Sequence, residues 1–129
     1  MLYLYCPNMF TAALKETKMA LLDYFCSIKD KYSDFVFTNY NAKGELVDRA
    51  VYIYAKNDRR RGKVLFEIWK LPTEGRFDLY VKRILLTGEE YQESLNSWNK
   101  TTGTRGRITR DFESYQELVS FVASRLDLL

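Results

Sequence analysis

Phe10, Leu14, Thr17, Leu21, Phe25 and Ile28 recur at spacings of three and four and fall on one face of a helix. That spacing predicts an N-terminal helix over about 9–31, capped by Asn8, with Lys15, Glu16, Lys18, Asp23 and Lys29 turned to water. After residue 34 the period changes to two. Short alternating runs at 34–38, 49–56, 63–71 and 76–83 read as strands. Their connections are short and contain glycine: Asn41-Ala-Lys-Gly44, the basic turn over 57–62, and Pro72-Thr-Glu-Gly75. Such connections join antiparallel neighbours, so these runs predict a meander.

Helical spacing returns after Thr87. Thr87-Gly-Glu-Glu90 fits a capping box opening a helix over about 88–98. Residues 99–106 read as a loop and 107–112 as another strand. Ser114-Tyr-Gln-Glu117 is a second capping box, opening a helix that buries Tyr115, Leu118, Val119, Val122 and Leu126. The expected class is α+β: an antiparallel β-meander of four to five strands with an N-terminal, a middle and a C-terminal helix, in the order α-β-β-β-β-α-β-α. The 129 residues fit a single domain over 1–129.

Alternation sorts the meander into two faces. Val51, Ile53, Val64, Phe66, Ile68, Phe77, Leu79 and Val81 form a wholly apolar set, the expected core. Tyr52, Tyr54, Leu65, Glu67, Trp69, Asp78, Tyr80 and Lys82 form the other set, aromatic but charged. Tyrosine and tryptophan pair an apolar body with a polar handle, which suits a half-wet surface. Left open, such a face can stack on the bases of single-stranded nucleic acid or anchor a protein partner. Covered by a helix, it is a second packed layer.

Charge sharpens this picture. The net charge is +3, with 20 basic and 17 acidic residues. The stretch 56–63 carries five bases and one acid, Arg59, Arg60 and Arg61 among them. The stretch 99–110 carries Lys100, Arg105, Arg107 and Arg110 with no acid. The two segments sum to +8, so the remainder sums to −5. Arginine forks at such places suit phosphate oxygens, while solvated basic loops also protect sheet edges. If the 88–98 helix runs back along the sheet, the two basic segments lie at opposite ends.

Composition narrows the chemistry. The chain has no histidine, which removes Ser-His and Cys-His nucleophilic pairs and histidine-containing zinc sites. The two cysteines, Cys6 and Cys26, are too few for a thiolate zinc cluster and read as reduced thiols in a reducing compartment. No glycine-rich phosphate loop follows a strand. Glu67 and Lys70 stand three apart on one strand, hence on opposite faces, so a restriction-type metal site fails. No catalytic residue, metal ligand or cofactor is expected. The opening 1–6 lacks a basic leader and a cleavage site, and no run spans a bilayer, so a cytoplasmic protein without membrane contact is expected.

From about Val51 onward the chain resembles a family of small uncharacterised bacterial α+β domains, found alone or fused to restriction-type and other DNA-handling proteins. Val64-Leu-Phe-Glu-Ile68 and Arg76-Phe-Asp-Leu-Tyr-Val-Lys82 carry the likeness, with Trp98 before a glycine-containing loop and the closing 114–126 helix. The family's Trp-Gly pattern is broken, because Asn99 follows Trp98 and the glycines come at Gly103 and Gly106. The resemblance implies an accessory domain without established chemistry, in the company of nucleic-acid systems.

Together these features predict a non-enzymatic module that binds nucleic acid or a nucleic-acid-handling protein of the restriction or defence kind. Tyr52, Tyr54, Trp69 and Tyr80 would stack or anchor, and Lys82, Arg59, Arg60, Arg61, Arg105 and Arg107 would meet phosphates or an acidic surface. One alternative is a phage-type inhibitor acting by protein–protein interaction. Another is a histidine-free small ribonuclease drawing on residues such as Tyr54, Arg61, Glu67 and Tyr80.

Overall fold

The computed structural model of the chain describes residues 19–58, 63–96 and 105–129. In chain order these hold a 3-10 turn (Leu21–Phe25), α1 (Cys26–Lys29), β1 (Phe35–Thr38), β2 (Ala50–Ala55), β3 (Phe66–Lys70), β4 (Arg76–Lys82), a second 3-10 turn (Arg83–Leu85), α2 (Gly88–Leu95), β5 (Arg105–Asp111) and α3 (Tyr115–Leu126). The strands form one five-stranded sheet in the order β1-β2-β3-β4-β5, every pair antiparallel. This is the expected α+β meander in the expected order.

The N-terminal element differs from a long regular helix. Its described part is a 3-10 turn followed by a single α-turn, and residues 9–18 of the expected helix lie outside the described residues. Leu21, Tyr24 and Phe25 are nevertheless buried, and Tyr24 stacks on Tyr115 of α3 with ring centroids 3.7 Å apart and planes 6° from parallel. A buried aromatic pair of this kind adds about 1 kcal/mol beyond the area it buries.

The main core lies between one face of the sheet and these helical segments. It joins Val51, Ile53, Phe66, Ile68, Phe77, Leu79, Val81 and Ile108 to Leu21, Tyr24, Phe25, Leu118, Val119 and Val122. The five residues expected to face inward from α3 are the five that are buried. One pair of the alternation is reversed: Leu65 belongs to the main core, and Val64 to the opposite face with Tyr52 and Tyr54. The ladder is irregular there. The Leu65 N–H donates to the Ile53 carbonyl at 2.8 Å although Ile53 is in register with Phe66. Two residues thus oppose one, as in a β-bulge, and strict alternation ends at that point.

Caps and tight turns fix the ends of the elements. Thr87 Oγ1 accepts from the Glu90 N–H at 3.1 Å, and Glu90 Oε1 accepts from the Thr87 N–H at 2.9 Å, so the first capping box is complete. The second is half formed. Ser114 Oγ caps Glu117 at 3.1 Å, but Glu117 reaches back to the Glu113 N–H instead. Gly75 sits at φ +79° in the β3–β4 turn, where a Cβ would lie 2.8 Å from the Phe112 carbonyl oxygen, so only glycine fits.

α2 packs along β5 on the core side. Its Ser94 crowds Gly106, where a Cβ would meet Ser94 Oγ at 2.6 Å. Glu93 pairs with Arg110 at 2.7 Å, and Glu90 with Arg125 of α3 at 2.5 Å. Leu86, just before α2, and Ser94, near its end, both meet Gly106. Arg105 enters beside Lys82, at the end of the sheet where β2 also finishes. Whether the two basic segments adjoin is left open by the sequence, and residues 59–62 and 99–104, half of each segment, lie outside the described residues.

Candidate nucleic-acid interface

The face opposite the core is built from rows of side chains in register across the strands. One row reads Thr38, Tyr52, Glu67, Tyr80, Arg107. The next reads Ala50, Trp69, Asp78, Thr109, and Lys82 stands beside Arg105. Among the described residues the helical segments all pack on the core side, so none of them covers these rows. Residues 39–47 form a small hairpin instead, closed by hydrogen bonds from Val47 to Asn39 at 2.8 Å and from Asn41 to Glu45 at 2.9 Å. Its positive-φ residue is Gly44. Val47 at its base packs against Ala50, Tyr52, Tyr54 and Val64.

The face is thereby divided. Tyr52 and Tyr54, expected to offer open rings, are each only 6% exposed. Their rings are packed, and they wall a cavity of about 250 Å³ together with Asn41, Lys43, Glu45, Val64, Glu67 and Arg105. Trp69, Tyr80, Lys82, Arg105 and Arg107 are half-exposed. Trp69 and Tyr80 line a second hollow of about 320 Å³ with Arg49, Lys70, Leu71, Pro72 and Asp78. Arg59, Arg60 and Arg61 lie outside the described residues, as does Trp98. Of the set named for a ribonuclease, Tyr54 and Glu67 line the first cavity, Tyr80 lines the second, and Arg61 lies outside the described residues.

Glu67 is the hub between the two hollows. Its Oε2 accepts from Trp69 Nε1–H at 2.7 Å and its Oε1 from Arg105 at 3.1 Å. With side chains 22% exposed on both sides, the Glu67–Arg105 pair is partly screened from water and sets the position of both groups. Burial pushes the Tyr52 hydroxyl up to about 12, with the negative charge of Glu67 and then Tyr54 adding to the shift. Tyr52 therefore remains a neutral hydroxyl throughout the physiological range. Its ring meets Trp69 edge-on at 6.4 Å, and the Arg49 guanidinium stands over Trp69 at 5.8 Å. The neighbouring row is tied by Thr109 Oγ1–H donating to Asp78 at 2.6 Å and by Arg107 at 3.9 Å from the same carboxylate.

Sequence reasoning missed Arg49, Lys43 and Asn41. Arg49 was readable as a strand-start residue two positions before Val51, whereas the approach of Lys43 and Asn41 depends on how the 39–47 hairpin folds. The cysteine expectation is also corrected. Cys26 is disulfide-bonded, and the chain's other cysteine, Cys6, lies outside the described residues. The thiol argument for a reducing compartment no longer stands. Among the described residues no cluster of three or more metal-ligating side chains occurs, and no helix is long and apolar enough to cross a membrane. No family model, curated protein or solved structure matches the chain.

Proposed function

We propose that the protein binds single-stranded nucleic acid on the β3–β4–β5 half of this face. The observation that carries the reading is the half-exposed pair Trp69 and Tyr80 lining one hollow with Arg49, with Arg107 in register beside Tyr80 and Lys82 two residues further along β4. Every base has a π-face to set on such rings, and each stacked base contributes about 1–3 kcal/mol. The cations beside them suit the backbone phosphates.

A protein-inhibitor reading has one feature in its favour, the exposed Tyr40 and Leu46 paired across the 39–47 hairpin. Two side chains are a small fraction of the roughly 1,000 Å² that a specific protein interface buries, so nucleic acid is the better-supported partner.

Anisotropy of dye-labelled short single-stranded RNA and DNA tests the reading. Affinity is expected to fall with salt at a log–log slope of about −2, from three phosphates at about −0.7 each. Trp69→Ala is expected to weaken binding by about 1–3 kcal/mol at unchanged fold. Absence of binding at low salt overturns the proposal.

A further inference from the structure

Resting on that reading, we infer that the cavity beneath the 39–47 hairpin accepts one base of the bound strand, that the base is guanine, and that Glu67 selects it. The cavity of about 250 Å³ lies on the same face as the Trp69–Tyr80 hollow, and Glu67, which lines it, is hydrogen-bonded to Trp69. A dry cavity of about 150 Å³ already holds a benzene ring, so this one has room for a bicyclic base.

Its polar lining decides which base. Asn41 is spent within the hairpin: Oδ1 accepts the backbone N–H groups of Lys43 and Glu45 at 2.9 and 3.0 Å, and Nδ2 donates to Glu45 at 2.9 Å. Glu67 is different. Each of its oxygens takes one donor, from Trp69 and from Arg105, which fixes the carboxylate in place. A carboxylate offers about four acceptor positions, so each oxygen keeps capacity for a second donor. The site thus presents two adjacent acceptors, held rigid, and asks for two adjacent donors.

Guanine alone meets that demand on its Watson–Crick edge, with N1–H beside the exocyclic N2 amine. Adenine and cytosine each set one amine beside a ring-nitrogen acceptor, and uracil sets one N–H between two carbonyls. In those three a lone pair would face the carboxylate. Lys43 and Glu45 line the same cavity; the positive charge of Lys43 suits the guanine O6 or the flanking phosphate, while Arg105 is paired with Glu67. Tyr52, kept a neutral hydroxyl by burial, adds no competing charge.

The test uses the full chain and four dye-labelled RNA strands that differ only at one central nucleotide, set in an otherwise uracil context, with a fifth strand carrying inosine there. The guanine strand is expected to bind about ten-fold or more tightly than the other three, the scale of a good bidentate contact. Inosine lacks the N2 amine and is expected to fall between. Glu67→Gln replaces one acceptor by a donor and is expected to level the four strands while binding that depends on Trp69 persists. The inosine strand needs no altered protein, so the inference stays open to refutation even if Glu67→Gln fails to fold. Equal affinity for all strands, or preference for another base, overturns the guanine assignment and leaves the stacking reading standing. Failure of every strand to bind overturns both.

Discussion

The two faces of one sheet use the same alternation for opposite ends. On the core face Val51, Ile53, Phe66, Ile68, Phe77, Leu79, Val81 and Ile108 are aliphatic or phenylalanine side chains at or near zero exposure. On the other face, tyrosine, tryptophan and paired charges take the same alternating slots. The first face excludes water by shape alone. The second keeps its polar atoms and answers them one by one: Glu67 to Trp69 and Arg105, Asp78 to Thr109. A buried polar group without a partner costs about 1–3 kcal/mol, so the second face tolerates wetting that the first does not. The contrast teaches where the free energy of folding lies and where binding capacity lies. They sit back to back on the same five strands.

The sharpest way to break the contrast is to truncate the dry face. Phe66 is fully buried and sits in register with both Ile53 and Val81. Phe66→Ala is expected to cost about 4 kcal/mol, read as a lower urea midpoint at unchanged slope. The fraction still folded should bind nucleic acid normally. A variant with intact stability and impaired binding would mean that the two faces are not separate in role.

A smaller effect is expected at the ionic seam that ties α2 to α3. Arg125 holds Glu90 by two hydrogen bonds, at 2.5 and 2.7 Å, and its Nη1 also donates to the Leu85 carbonyl at 2.8 Å. The Arg125 hydrogen bonds hold the Glu90 carboxyl below its ordinary 4.5, with Thr87 and Arg110 helping against burial. Arg110 does the same for Glu93. A carboxyl with a depressed folded-state pKa stabilises fully above its ordinary value, and that contribution is lost as pH falls through the depressed one. Acid unfolding is therefore expected to begin below about pH 4.5. Arg125→Met strands a buried carboxylate and is expected to cost about 3 kcal/mol at neutral pH. Melting curves taken at falling pH should show the variant closing on the wild type, because protonation removes the stranded charge. Parallel curves would assign the loss to packing instead.

Most of the first face was legible from the chain, and much of the second was not. The buried residues of α3 follow from a 12-residue helix with a clean periodic stripe and a serine cap. The meander follows from strands joined by short turns with glycine where φ must be positive. What failed was whatever depended on contacts remote in sequence. Tyr52, Tyr54 and Tyr80 are the same residue type on the same face. The first two are buried, and the sequence carries no periodic signal that the 39–47 hairpin would close over their end of the sheet. Leu65 and Val64 exchanged faces because a bulge is one extra residue, invisible to a count of two.

The smallest expected effect lies at the exposed apolar pair of the hairpin, and it marks the outer limit of the second face. Tyr40 and Leu46 are paired by a β-bridge and are 51% and 56% exposed. Neither lines the cavity that contains Glu67. The hairpin's backbone bonds and the Asn41 side-chain bonds do not involve either side chain. Tyr40→Ser with Leu46→Ser should therefore leave the hairpin closed, and the stability change should stay within about 0.5 kcal/mol, as for surface sites without special contacts. Affinity for single-stranded nucleic acid should be unchanged within error in the same anisotropy assay. A several-fold loss at unchanged stability would extend the interface over the hairpin and place its exposed apolar pair among the stacking groups. Unchanged affinity would leave the exposed outer pair of the hairpin outside the interface, with binding confined to the strands and the cavity beneath the hairpin.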